Sequence, residues 1–175
     1  LLEACRHSGV GFFVFASSSS VYGVNAKVPF SETDLIARTI SPYAATKLAG
    51  EQMCSNYAHL FGLRCACLRF FTVYGPWGRP DMAYWTFTRD IIEGRAIRVF
   101  NNGQLNRDFT WIDDIVAGVV ATAFDHPRTA NPPLHRIYNI GNNRPVELGR
   151  FIEIVEDAVG KRAEKIMEPL QPGDV

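Results

Sequence analysis

Apolar and polar positions fall into blocks along this chain, and the spacing inside each block predicts its element. Leu1-Leu2-Glu3-Ala4-Cys5 reads as a helix already under way, and Gly9 suits the left-handed position that closes one. Residues 10–16 (VGFFVFA) form a nearly continuous apolar run of strand length, which predicts a strand buried on both faces, as in a parallel sheet. Polar residues and Pro29 carry a loop to Ser41-Pro42, where serine suits the N-cap and proline the first helical position. The helix so opened is expected over Pro42–Phe61, ending at Gly62, and residues 63–71 read as the next strand. Strand, helix, strand at this spacing is a βαβ unit.

Two glycines and two prolines in residues 72–80 (TVYGPWGRP) predict a loop. A helix over about 82–93 closes at Gly94, a short strand follows at 96–100, and Asn101-Asn102-Gly103 marks a turn. Asp113 and Asp114 begin a helix that reaches about Phe124 and is stopped by Pro127. A short strand at 137–140 precedes Gly141, and a last helix over 147–159 closes at Gly160. The alternation is that of an α/β fold. No repeat or low-complexity tract points to a solenoid.

Composition narrows the classes of function. At 175 residues the chain can hold one solid core, or a large domain fragment with part of a second. A hydrophobic share of 47% against 21% charged residues excludes a disordered chain. Eighteen basic residues balance eighteen acidic ones, so nothing marks the chain for nucleic acid or an anionic membrane surface, and any anionic ligand must be held by local charges. Cys5, Cys54, Cys65 and Cys67 contain no CxxC pair and read as reduced packing residues, with no metal expected. No run approaches the roughly 20 apolar residues of a membrane span, and no signal peptide is visible, so a cytoplasmic location is expected. The chain lacks an initiator Met and stops at Gly173-Asp174-Val175 without a closing element, so it reads as part of a longer protein.

The residues with the most chemistry are Tyr43 and Lys47. Four apart on the expected helix, they share one face, with Tyr43 in the first turn. A tyrosine becomes a useful base when its pKa falls from about 10 towards 7, roughly 4 kcal/mol of differential stabilisation. A neighbouring lysine and a helix N-terminus both act in that direction. Alone, the pair reads first as a core tyrosine beside a solvated lysine. Ser17-Ser18-Ser19-Ser20 strengthens the catalytic reading, because it follows the buried strand at the end where open parallel sheets bind ligands. The bland alternative is a serine-rich turn.

Three segments together resemble the extended short-chain dehydrogenase/reductase superfamily: residues 15–23 (FASSSSVYG), 41–47 (SPYAATK) and 69–76 (RFFTVYGP). Residues 107–114 (RDFTWIDD) and 172–175 (PGDV) fit in the same order, and 75–83 (GPWGRPDMA) resembles the UDP-glucuronate 4-epimerase branch. The resemblance implies the C-terminal half of a Rossmann doubly wound parallel sheet with a smaller interleaved substrate lobe. Residues 1–71 and 107–141 would form a partial NAD-binding domain, and 72–106 and 142–175 a partial sugar-nucleotide lobe. The family's glycine-rich phosphate loop would lie upstream of Leu1.

By the same resemblance Tyr43 is the base, Lys47 binds the nicotinamide ribose of NAD, and Ser18 sits beside the sugar 4-OH. Ser17 and Phe70 line the nicotinamide pocket, Phe100 the uracil site, and Arg107 pairs with the diphosphate, where a guanidinium fork suits the anion. An ion pair with Asp108 or another acid is the plainer reading of Arg107. Ser19 and Ser20 stand where related dehydratases carry an Asp-Glu pair, and Ser20 where related decarboxylases carry a Glu. Ser18, Ser19, Ser20 and Thr72, with Arg79 nearby, would then hold a sugar carboxylate. The implied reaction is 4-epimerisation of a UDP-sugar, UDP-glucuronate to UDP-galacturonate, by transient oxidation at C4. Rival readings are a UDP-galactose 4-epimerase, a decarboxylating UDP-glucuronate enzyme, and a non-catalytic nucleotide-sugar-binding module or inert fragment. The family commonly forms homodimers through two helices, of which 42–61 would be one. Its apolar positions Leu48, Tyr57, Ala58 and Phe61 serve packing on the sheet equally well.

Overall fold

The computed structural model describes residues 1–25, 27–124 and 133–170, so Pro127 and the 172–175 motif lie outside the described residues. The elements in the first half are α1 (Leu2–His7), β1 (Phe12–Ser18), a 3-10 turn (Ser19–Tyr22), α2 (Pro42–Phe61), β2 (Arg64–Phe70) and β3 (Thr72–Tyr74). There follow α3 (Ala83–Ile92), β4 (Ile97–Phe100), β5 (Asn106–Trp111), α4 (Ile112–Phe124), β6 (His135–Ile140), β7 (Pro145–Glu147), α5 (Leu148–Val159) and β8 (Lys165–Glu168). They divide into two compact units, Leu1–Phe71 with Asp113–Gly141, and Thr72–Ile112 with Asn142–Val175.

The first unit is built on a parallel sheet in the order β1-β2-β6. Helix α2 begins and ends where its local signals place it: Ser41 Oγ accepts from the Ala44 N–H at 3.1 Å, and Gly62 turns left-handed at φ +67°. It packs over β1 and β2, and its Cys54 joins Leu63, Cys65 and Cys67 in a core closed by Phe13, Phe15 and Ile137. All four cysteines are free thiols. A hydrogen bond with Cys65 draws the Cys54 thiol pKa down, but contact with Cys67 and burial outweigh it and push it up to about 12. The contact with Cys54 and then burial also raise Cys65. These thiols therefore stay neutral and pack as small apolar groups. Among the described residues no cluster of metal-ligating side chains occurs, and no helix is long and apolar enough to cross a membrane.

Two expectations for this unit change. The first strand is displaced from 10–16 to Phe12–Ser18, because its register is set by β2, with Phe12 opposite Arg64 and Ser18 opposite Phe70. Nor is it buried on both faces: Phe12 to Phe15 are half-buried and Ala16 is exposed. β1 has one strand neighbour among the described residues, whereas β2, between two, buries everything from Cys65 to Arg69.

In the second unit β5 pairs in parallel with β3 and antiparallel with β7, while β4 pairs in parallel with β8. Helices α3 and α5 bury Ile91, Leu148, Ile152 and Val155 against Ile97 and Val99 of β4. Residues 72–80, expected as loop throughout, begin with a strand, since Thr72 to Tyr74 find partners in Phe109 to Trp111. Residues 107–112, expected with the sheet domain, belong to this unit for the same reason: 107–111 pair with β3 and β7, and Ile112 follows directly as the first residue of α4.

Candidate active site

The first unit gathers most of the candidate residues at the carboxyl ends of its strands. Tyr43, in the first turn of α2, is 55% exposed, and Lys47 lies one turn further on. The Lys47 ammonium donates to the Ala16 carbonyl at 2.9 Å and stands 5.5 Å from the centre of the Tyr43 ring. One of its three donors is thereby used to hold the side chain along the helix face beside the tyrosine. Ser18 is 8% exposed, and its Oγ accepts from the Ser20 N–H at 3.2 Å and donates to Ser20 Oγ at 3.1 Å, capping the 3-10 turn. Phe70, half-buried, is opposite Ser18 across the sheet. Ser19 and Ser20 lie half-buried in the turn itself.

Ser17 behaves differently from its neighbours. Its hydroxyl points into the core and donates to Glu51 Oε1 at 2.5 Å. Glu51, 1% exposed, is clasped from the other side by Arg69, 2% exposed, through Nε at 2.9 Å and Nη2 at 2.7 Å. The Arg69 guanidinium lies over the Tyr22 ring at 4.7 Å, and the Tyr22 hydroxyl donates to Asn139 Oδ1 at 2.7 Å. Burial works to lower the Arg69 pKa, but the Glu51 carboxylate and the Tyr22 hydroxyl outweigh it and the pKa is raised, so the guanidinium keeps its charge. Burial likewise lifts the Tyr22 phenol above its ordinary value. Sequence reasoning missed this network. The available signals were an arginine inside the apolar run RCACLRF and a glutamate one turn after Lys47 on a sheet-facing helix.

Gly23 closes the turn at φ +54° and ψ −116°, and an added Cβ would overlap the Arg38 carbonyl oxygen. Gly23→Ala is therefore expected to cost about 2 kcal/mol or more, read as a lower urea midpoint, because both the dihedrals and the backbone contact resist it.

The remaining candidates lie in the second unit. Thr72 opens β3, opposite Phe109. Arg79 is exposed and grips Asp81 with Nε at 3.1 Å and Nη2 at 2.5 Å, which holds the Asp81 carboxyl below its ordinary pKa. Phe100, half-buried, ends β4 with the Arg98 guanidinium 5.7 Å from its ring centre. Arg107, half-buried on β5, donates from Nη1 to the Asn106 carbonyl at 3.2 Å. The neighbouring Asp108 carboxylate accepts from Thr110 Oγ1 at 2.9 Å and from the Asn142 N–H at 2.8 Å.

A parallel sheet whose strand ends carry a Tyr-Lys helix face and a capped serine turn is a dehydrogenase-like arrangement. The chain belongs to the NAD dependent epimerase/dehydratase family, whose model matches residues 1–141. UDP-glucuronate 4-epimerase 5 of Arabidopsis thaliana is 49% identical over 173 residues, covering 93% of this chain and 40% of that protein. The crystal structure of UDP-glucuronic acid 4-epimerase from Bacillus cereus, in complex with UDP-glucuronic acid and NAD, matches with a TM-score of 0.88 at 37% identity over 99% of this chain and 54% of that one. UDP-glucose 4-epimerase of Thermus thermophilus, in complex with NAD, matches with a TM-score of 0.85 at 29% identity, over 100% of this chain and 57% of that one. The chain spans about half the length of the curated relatives it matches.

Proposed function

We propose that the whole protein is an NAD-dependent UDP-sugar 4-epimerase acting on UDP-glucuronate. The observation that carries this reading is the Tyr43–Lys47 pair beside the buried Ser18 hydroxyl at the carboxyl ends of parallel strands. The relatives named for the same reaction support it. The donor set fits a nicotinamide ribose: the Lys47 ammonium, anchored at Ala16, has two further N–H donors beside the Tyr43 phenol, a pairing suited to vicinal hydroxyls. When bound, NAD supplies reversible hydride removal at C4.

The chain's own groups manage the proton and the geometry. Tyr43 takes the proton from the sugar 4-hydroxyl and returns it after the sugar has turned over. Ser18, its Oγ held by the Ser20 N–H, keeps a hydroxyl at the same oxygen without a full charge. Neutral hydroxyls of Ser18, Ser19, Ser20 and Thr72 are assigned to the sugar carboxylate, Phe100 to the uracil and Arg107 to the diphosphate. A homodimer through α2 is part of the reading, supported by Met53, Leu60 and Phe61, which are exposed and share one helix face. A monomeric mass of the whole protein by light scattering would remove that part. Cytoplasmic residence is supported by the four unpaired cysteines.

A second reading, turnover of a neutral UDP-hexose such as UDP-galactose, is favoured by one observation: Arg79, the cation assigned to the carboxylate, is already gripped by Asp81. Incubating the whole protein and NAD with UDP-glucuronic acid and, separately, with UDP-galactose decides between them. Formation of UDP-galacturonic acid without CO2 is the expected result. Turnover of UDP-galactose alone would establish the second reading, and release of CO2 a decarboxylase.

A further inference from the structure

We propose that the buried Glu51–Arg69 pair is a positioning device, which sets the strand end carrying Ser17 and Ser18 against the helix face carrying Tyr43 and Lys47. Ser17, Arg69 and Asn139 are paired in register across β1, β2 and β6, so they form one row on the α2 side of the sheet. Glu51 reaches that row from α2, one turn beyond Lys47, and takes three donors from it: Ser17 Oγ, Arg69 Nε and Arg69 Nη2. Arg69 in turn underlies Tyr22, which closes the 3-10 turn after Ser18 and is tied to the third strand through Asn139. One carboxylate therefore connects the helix that carries the base to both ends of the serine segment.

Stability alone is a poor reason for such a pair. Removing two charges from water costs several kcal/mol each, and apolar side chains of the same volume often serve a core as well or better. What an ion pair with a fixed fork adds is direction: the guanidinium meets the carboxylate in one plane, which leaves a single orientation for Ser17 to donate into. The bond to Ser17 places the adjoining Ser18, whose hydroxyl faces the opposite side of the strand, at a set distance from α2. A misplacement of about 1 Å at a reacting group costs on the order of 100-fold in rate, so a device of this kind acts on kcat rather than on binding.

This inference rests on the roles given above to Tyr43 and Ser18, and the test separates the two. In the whole protein with NAD, Glu51→Gln keeps the shape but sets an amide N–H2 against Arg69 and removes the charge. It is expected to lower kcat about 30-fold per NAD-binding site while KM for the UDP-sugar moves less than about 3-fold. Amide exchange of residues 18–22 should quicken about 10-fold with protection of 42–61 unchanged. Ser17→Ala, which deletes one hydrogen bond, should lower kcat about 5-fold, and the double variant should be no slower than Glu51→Gln alone, since the Ser17 bond is one of those that Glu51→Gln already weakens.

A purely structural pair would lower the fraction of sites that bind NAD and leave turnover per site intact, and that outcome overturns the proposal. So does multiplication of the two single effects in the double variant. Should Glu51→Gln fail to fold, Ser17→Ala decides: unchanged kcat and unchanged exchange at 18–22 overturn it. If the wild-type protein turns over no UDP-sugar, the assigned activity fails. The exchange measurement still tests the positioning, which faster exchange at 18–22 supports and unchanged exchange refutes.

Discussion

Tyr43→Phe is expected to lower kcat for 4-epimerisation about 1,000-fold, within the range for loss of a general acid–base group. The phenol takes part in no side-chain hydrogen bond among the described residues and stands 55% exposed, so losing its oxygen leaves no buried donor or acceptor behind. The cap at Ser41 and the buried Ala44 that seat the first turn of α2 are untouched. Urea midpoint and NAD stoichiometry should therefore stay at wild-type values while turnover disappears. The Lys47 anchor at Ala16 also survives, which distinguishes this variant from one that displaces the whole helix face. Wild-type turnover in Tyr43→Phe would remove Tyr43 as the base and leave the epimerase reading without its central residue.

What could be read from the sequence was what is encoded locally. Helix α2 needed only Ser41-Pro42 at one end and Gly62 at the other, and both caps form as their chemistry requires. Glycines 94 and 160 ended α3 and α5 in the same way, each at positive φ. Strand positions were harder, because their ends are set by partners distant in sequence: β1 runs two residues beyond its apolar run only because β2 continues beside it to Phe70. β3 and β7 have three residues each and β8 four, too few for an alternation to show.

The candidate site divides along the same line. Tyr43, Lys47 and the serine turn carry a pattern in sequence. Glu51 and Arg69 do not: a glutamate on a helix is ordinarily solvated and an arginine in a strand ordinarily leaves the core, so only their meeting makes burial tolerable. Asp81 was likewise passed over as the partner of Arg79, although it lies two residues away.

Glu156→Gln is expected to cost about 2 to 3 kcal/mol of stability near neutral pH, and much of that difference should vanish in acid. Glu156 sits in the last turn of α5 and is 3% exposed. Its Oε1 accepts from Lys165 Nζ at 2.8 Å and from the Ala163 N–H at 3.0 Å, and its Oε2 from Arg162 Nη1 at 2.9 Å. The Lys165 contact is the main cause that lowers its pKa, burial opposes it, and the Ala163 N–H and Arg162 add to the lowering, so the carboxyl is held at about 2. Since the folded value lies below the unfolded one of 4.5, the unfolded chain binds the proton more readily. The stabilisation is complete above the unfolded value and is lost as pH falls towards the folded one. A drop of this size corresponds to roughly 3 kcal/mol, an upper figure because Arg162 is largely exposed and screened. Urea midpoints of wild type and variant should therefore converge, the gap narrowing by about 2 kcal/mol between pH 7 and pH 3. A gap that stays constant over that range would mean that Glu156 holds the turn from 160 to 165 by its shape and hydrogen bonds, and that its charge contributes nothing.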